Sequence, residues 1–240
     1  MKLFGVRSNV YLATSGVPQG GHLSPLLFSL FINSVSSVLS NSRILCFADD
    51  IKLYSCVSSL DDCMLLQIDF DRFTEWFNTL GLSLNVSKCK TMTYTRIRSP
   101  VKYAYHLGPT AIACSNGSVT DLGFILTSNL DPSPHIEHIC CKAFKTLGFV
   151  LRLCKDFRLG LSFKVLYCAL VRPILEYGTV IWNPHDNNGS VRLERVQRKF
   201  MKYAGFRLNI PCEPHNYEPV ATQLGLVSLA ERRRWADINF

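Results

Sequence analysis

No Cys-x-x-Cys spacing occurs anywhere in the 240 residues, although the chain has ten cysteines. That excludes a zinc ribbon or knuckle, whose paired thiolates come from closely spaced positions. Cys140 and Cys141 are adjacent, and His135, His138 and Cys140 read as ordinary surface and core residues of a helix. A secretory leader is also missing from residues 1–11, so the thiols are expected to be reduced and mostly buried, in an intracellular setting, nuclear or cytoplasmic. The longest apolar run, residues 23–39, is broken by Pro25, Asn33 and five serines. It is poor material for a membrane span and reads as a buried helix; no membrane partner is expected. Asn-x-Ser triplets at Asn85, Asn116 and Asn188 carry no meaning outside the secretory route. Internal repeats and low-complexity segments are absent. So is any Asp or Glu among the first fifteen residues.

What is present is enough for one or two globular domains, with 48% hydrophobic residues over 240. The net charge of +8 is unevenly spread: residues 1–133 carry 10 Lys/Arg against 9 Asp/Glu, and residues 134–240 carry 16 against 9. A polyanion partner accounts for the basic second half, and so does a solvated basic face. Short β-leaning segments dominate before residue 130 and helical periodicity dominates after it, an α+β pattern with a boundary near 130.

In chain order, residues 1–11 suggest a strand. Gly16 to Gly21 form a loop, its glycines allowing positive φ or close approach to a ligand. Ser24 is expected as an N-cap with Pro25 at the first helical position, and Leu26, Leu27, Leu30, Phe31, Val35 and Val38 as the core stripe of that helix. A second helix spans residues 60–80, with Leu60, Cys63, Met64, Ile68, Phe73, Trp76 and Phe77 at helical period and Gly81 as its stop. Asn85 to Lys88 mark a turn that leads into a strand; further strands are expected over 101–106 and 120–126. Helices follow over 134–156, 162–182 with a bend at Pro173, 190–203 with Arg192, Arg195, Arg198, Lys199 and Lys202 outward, and a last one capped by Ser228.

Between the first two helices lies RILCFADDIKLY, residues 43–54. Two β-leaning arms, residues 43–47 and 51–57, flank Asp49 and Asp50, which predicts a hairpin with both acids at its tip. Crowded carboxylates repel one another unless a divalent cation neutralises them. A plain solvated turn is the competing reading, since Asp61 and Asp62 repeat the dipeptide and Asp favours turns for local hydrogen-bonding reasons.

SGVPQGGHLSPLLF, ending 21 residues before Asp49, combines with FADD to resemble motifs B and C of reverse transcriptases, most closely those of non-LTR, LINE-type, jockey-like retrotransposons. Residues 81–90, GLSLNVSKCK, resemble motif D. Asp121-Leu122-Gly123 resembles the primer grip, and RPILEYG and LERVQRK resemble the thumb and its extension. The resemblance implies a partial right-hand polymerase palm, motifs B to E, over residues 1–130, and an all-helical thumb and extension over 131–240. It implies RNA-directed DNA polymerisation, with an RNA template, a DNA primer and deoxynucleoside triphosphates as partners and two Mg²⁺ ions as cofactor. Asp49 would be the essential metal ligand and Asp50 the supporting one; Phe47 and Ala48 would pack the primer end. Gln19 and Gly20 would lie under the incoming nucleotide, and Lys88 would neutralise or protonate the leaving pyrophosphate. Taken locally, Lys88 is also an ordinary exposed turn lysine.

A third carboxylate, from the motif A strand, precedes motif B in this family, and the fifteen residues before Gly16 hold no acid. The expectation is therefore a fragment inactive alone, missing the N-terminal part of the same polyprotein, with an apolar sheet edge left open. A non-catalytic nucleic-acid-binding remnant with a basic thumb is the alternative, and a chain with no stable fold a third.

Overall fold

Five short antiparallel or parallel strand pairs and a set of helices make up the computed structural model, which describes residues 2–3, 6–7, 16–17, 20–115, 117–154 and 160–239. The chain divides into two compact units, one of Met1–Thr91 and Ile97–Cys114, the other of Met92–Arg96 and Ser115–Phe240. This seam falls near residue 115, not 130. The hairpin of residues 118–127 belongs with the helices because Phe124 is buried in their core.

In the first unit β1 (Lys2–Leu3) pairs with β2 (Val6–Arg7), so the described part of residues 1–11 is a tight ribbon and not a single strand. Helix α1 (Ser24–Ile32) starts one residue earlier than expected: Leu23 occupies the N-cap and Ser24 is already helical, with Pro25 in the first turn. It tightens into a 3₁₀ segment, Asn33–Val38, where serines compete for the backbone; the Ser37 hydroxyl donates to Ser34 O at 2.7 Å. Only two of the six residues expected on the stripe, Val35 and Val38, face the core. Val35 and Ile32 are buried and Phe28 and Val38 pack beside them, whereas Leu26, Leu27, Leu30 and Phe31 are exposed. The buried line runs 28, 32, 35, one step round the helix from the predicted one.

β3 (Arg43–Phe47) and β4 (Asp50–Tyr54) form the predicted hairpin. α2 (Leu60–Thr79) begins with a capping box, the Ser59 side chain accepting from Asp62 N while the Asp62 carboxylate accepts from Ser59 N, and ends at Gly81 with φ +71°. Phe73 and Phe77 are buried beneath the hairpin with Ile32 and Val35, while Leu60, Met64 and Ile68 stay exposed. The rest of the unit is sparse: β5 (Lys90–Thr91) runs parallel to β8 (Ala113–Cys114), and β6 (His106–Leu107) pairs with β7 (Thr110–Ala111). Gln67 on α2 pins β6 by both accepting from His106 N and donating to His106 O, each at 2.9 Å.

The second unit opens with β9 (Ser118–Asp121) and β10 (Phe124–Thr127), joined by a two-residue turn in which Leu122 and Gly123 both have positive φ. Sequence periodicity read this as one strand over 120–126; the Asp-Leu-Gly turn reverses the chain instead. α3 (Ser133–Leu153) follows. The helix expected over 162–182 is broken into α4 (Gly160–Leu166), a π turn (Tyr167–Val171), α5 (Arg172–Glu176) and α6 (Thr179–Trp182). Pro173 has no N–H and crowds the preceding turn, so the ladder widens just before it, with Arg172 N donating to Tyr167 O. By composition Gly160–Trp182 is apolar and long enough to cross a membrane, but Phe163, Tyr167, Val171, Leu175 and Trp182 along it lie in this unit's core. α7 (Asn187–Arg207), capped by Asp186, runs longer than expected. α8 (Glu218–Leu224) is too short for periodicity to show, and α9 (Leu229–Ile238) is capped by Ser228 as predicted.

Polar groups tie this core together. The Tyr167 ring stacks on Phe200 at 4.3 Å, its hydroxyl donates to Gln197 Oε1 at 2.9 Å, and Gln197 Nε2 donates to Val227 O at 2.9 Å. Tyr177 stacks on Phe124 at 5.1 Å and donates to Leu122 O at 3.2 Å. No disulfide joins any of the ten cysteines. Half of them, Cys46, Cys56, Cys114, Cys141 and Cys212, are exposed rather than buried: Cys46 and Cys114 on short strands, Cys141 on an outer helix face, Cys56 and Cys212 in connecting segments.

Gly178 has φ +60°, and a Cβ there would stand 2.3 Å from the Phe124 ring. Gly178→Ala should therefore destabilise the second unit by about 3 kcal/mol, combining left-handed strain with overpacking; an unchanged thermal midpoint would contradict this. Asp69, fully buried on α2, sits between opposing effects: burial pushes its carboxyl up, but hydrogen bonds from Asn41, Ser42 and Ser40 outweigh it and leave it below the ordinary 3.8. With the folded value depressed, its contribution is complete above the unfolded pKa and is lost as pH falls through the folded one. Acid unfolding of the first unit, followed by backbone NMR, should thus keep a component below about pH 4 that Asp69→Asn removes.

Candidate active site

The acidic hairpin is assembled from one alternation. On its inner face Ile44 opposes Leu53 and Cys46 opposes Ile51, and Ile44, Ile51 and Leu53 pack on the core of Ile32, Val35, Phe73 and Phe77. The outer face carries Leu45, Phe47, Asp50, Lys52 and Tyr54, of which Phe47 is 65% exposed and Leu45 56%. Among the described residues this sheet has two strands only, so a whole face and both edges are open, more than the single apolar edge expected.

Phe47 pairs with Asp50, which leaves Ala48 and Asp49 as a two-residue turn. Ala48 takes φ +52°, the positive value that such a turn demands at its first central position and that glycine usually supplies. Asp49 thus sits at the extreme tip and Asp50 at the first strand position, both exposed. Hard oxygen donors at a convex, solvent-facing tip suit a hydrated divalent cation. Among the described residues no third His, Cys, Asp or Glu joins them in a metal-binding group.

Of the other sequence-predicted residues, Gln19 lies outside the described residues. Gly20 has φ +80° and open space where a side chain would be. Lys88 is exposed in the Asn85–Cys89 turn, its N–H donating to Asn85 O at 3.0 Å. The structure joins Phe47, Ala48, Asp49 and Asp50 in one element and leaves Gly20 and Lys88 on separate segments of the same unit.

Sequence reasoning overlooked Asp69. Its carboxylate accepts from three successive backbone N–H groups, Ser40 at 3.1 Å, Asn41 at 2.6 Å and Ser42 at 2.8 Å, and from the Ser42 hydroxyl at 2.9 Å. Arg72 is its ion-pair neighbour at 3.5 Å. The available signal was its register: Asp69 falls four and eight residues before Phe73 and Phe77, on the buried stripe, where a carboxylate must be paired.

In the second unit α3 and α7 run side by side in the same direction, since Lys199 lies over the Phe144 ring at 5.3 Å and the Tyr203 hydroxyl donates to Leu151 O. Arg192, Arg195, Arg198, Lys199 and Lys202 are carried on α7, and Lys142 and Lys145 on α3, as the basic composition implied. His135 and Cys140, by contrast, are buried. Burial and His138 hold the His135 imidazole below its ordinary value, and its Nδ1 accepts from Ile125 N at 3.2 Å. Burial pushes the Cys140 thiol up to about 11, Cys141 adding and Arg192 and Arg195 opposing. Neither has the character of a metal ligand.

Residues 2–151 match the family described as reverse transcriptase (RNA-dependent DNA polymerase). The chain is 27% identical over 212 residues to a probable RNA-directed DNA polymerase from transposon X-element of Drosophila melanogaster, covering 82% of this chain and 23% of that protein. It is 34% identical over 101 residues, 38% of this chain and 11% of the other, to the RNA-directed DNA polymerase from mobile element jockey of Drosophila funebris. The jockey protein of Drosophila melanogaster is 25% identical over 217 residues, 82% and 22% of the two chains. This chain spans less than a quarter of the length of these relatives. No solved structure matches. With the match covering more than half of the chain, including the acidic hairpin, the chain belongs to the reverse transcriptase family of the kind found in non-LTR retrotransposons.

Proposed function

We propose that this chain contributes the acidic hairpin, and part of the nucleic-acid-binding surface, of an RNA-directed DNA polymerase that adds deoxynucleotides to a primer 3′ end. The observation that carries the reading is the tip itself: two adjacent exposed carboxylates, Asp49 in a two-residue turn and Asp50 at the first position of the strand after it, within the span that matches the family. Asp49 and Asp50 hold divalent ions, Mg²⁺ by their hard oxygen donors. When bound, two such ions activate the primer 3′ oxygen and neutralise the triphosphate. A further carboxylate completes the donor set, and no described residue supplies it at the tip.

The remaining roles follow the motifs. Phe47 and Ala48 present the outer face against which the primer end packs, and Gln19 and Gly20 line the path of the incoming nucleotide. Lys88, a strong cation in an exposed turn, neutralises the departing pyrophosphate. The Asp121–Gly123 turn acts as primer grip. Residues 1–130 correspond to part of a palm, whose last hairpin, residues 118–127, packs with the helices, and residues 131–240 to a helical thumb with its extension. Ten cysteines with no disulfide between them fit a reducing compartment, nuclear or cytoplasmic.

The experiment is an exchange of this chain for the matched 212-residue segment of the X-element polymerase. Primer extension on RNA with Mg²⁺ should survive the exchange and fall about 1,000-fold with Asp49→Ala, the loss expected when a metal ligand worth about 4 kcal/mol is removed. A folded chimera that extends nothing, or that ignores Asp49→Ala, overturns the reading.

A second reading, nucleic-acid binding without chemistry, is favoured by the cations along α3 and α7. Binding of the 240-residue chain to a labelled RNA–DNA duplex should weaken with salt. The double variant Arg195→Ala, Lys202→Ala should lower the log–log salt slope by about 0.7 to 0.9 for each phosphate that is no longer neutralised. If the folded chimera extends nothing while this binding persists and is indifferent to Asp49→Ala, the second reading replaces the first.

A further inference from the structure

We propose that Asp69 is the positioning residue of the acidic hairpin: from the middle of α2 its carboxylate grips the three residues that lead into β3 and thereby sets where Asp49 and Asp50 stand. The role is argued from geometry; that the positioned tip serves polymerisation rests on the function proposed above.

Three successive N–H groups converge on one buried anion, from Ser40, Asn41 and Ser42, with the Ser42 hydroxyl and the Asn41 side-chain amide adding to them. Backbone amides arranged in this way form a concave anion site, and here the anion belongs to the protein. The other end of the hairpin returns to the same place, where the Ser55 hydroxyl donates to Asn41 O at 3.3 Å. Both the entry to β3 and the exit from β4 are thus attached to one loop, and that loop is attached to Asp69. Arg72 braces it by donating to Ser40 Oγ at 3.0 Å.

The apolar seam under the hairpin cannot do this alone. Contacts of Ile44, Ile51 and Leu53 with Phe73 and Phe77 choose which face of the ribbon points inward, but they are non-directional and tolerate sliding along α2. Charge-assisted hydrogen bonds to a fixed carboxylate are directional and stop the slide. The tip lies about 17 Å beyond the grip, five strand residues on, so a tilt of about 10° at the base displaces the acid pair by about 3 Å.

Backbone NMR of the 240-residue chain, with Mn²⁺ as the probe, tests the assignment. In Asp69→Asn the amides of residues 47–51 should shift, and the Mn²⁺ concentration that half-broadens them should rise about tenfold, as when a group supporting a metal ligand is removed. Cys63→Ala, a buried change on the same helix outside the cluster beneath the hairpin, serves as a control at the same interval below its own thermal midpoint. It should leave both readouts at the wild-type value. Asp69→Asn behaving like wild type, or like Cys63→Ala, overturns the positioning role. If the wild-type chain shows no Mn²⁺ broadening, the cation reading of the tip is what fails, and the shifts of residues 47–51 decide the role of Asp69 by themselves.

Discussion

A two-stranded ribbon has too little buried surface to stand by itself in water, and the element that carries the acid pair is such a ribbon. What keeps it in place is a combination of one apolar face and one buried charge. Ile44, Ile51 and Leu53 rest on Phe73 and Phe77, and the carboxylate of Asp69 takes up the amides of the loop before the first strand. The two contributions differ in kind. Burial of the aliphatic face supplies most of the favourable free energy, at about 25 cal/mol per Å² removed from water, and hydrogen bonding to the anion supplies the direction that burial lacks. Because those amides belong to a loop without strand partners, a buried acceptor also prevents the larger cost of leaving them unpaired.

The helical unit solves a different problem by similar means. Its core is large, and buried polar side chains choose among the many ways in which apolar helices could pack. Tyr167 and Gln197 connect α7 to the segment before α9, and Arg232 pairs with Glu176 from the last helix to α5, with Arg172 on the other side of the same carboxylate. Arg233 is buried nearby, donating to Asn183 and Ser190. The Tyr177-Gly178 pair does two things at one corner: the tyrosine holds the Leu122 carbonyl of the tight turn, and the glycine leaves the space that the Phe124 ring fills. A short hairpin is thereby bonded to a helix bundle rather than to the strands that precede it in the chain.

Apart from Asp69 and Arg233, which are buried and paired, much of the charge stays exposed. Cations line two parallel helices, one of them, Lys199, over an aromatic ring, while the acid pair occupies the exposed tip of a hairpin. Both sets of charged groups are therefore accessible from solvent.

Much of this was legible from residue order alone. The hairpin over 43–54 follows from alternation around an acidic pivot, α2 from its helical period and glycine stop, and α9 from Ser228, because each of these depends on neighbours only a few positions apart; the family follows from the loop and FADD at their separation. What the tertiary structure decided involved partners distant in sequence. Asp69 reaches residues 27 to 29 positions away, and Tyr177 reaches Leu122 across 55. Which side of α1 is covered, where the two units divide, and that the helix before Pro173 opens into a π turn also depended on such contacts. Local pattern specifies period and punctuation, but burial is a property of what lies opposite, and a chain read in order does not contain that until it has folded.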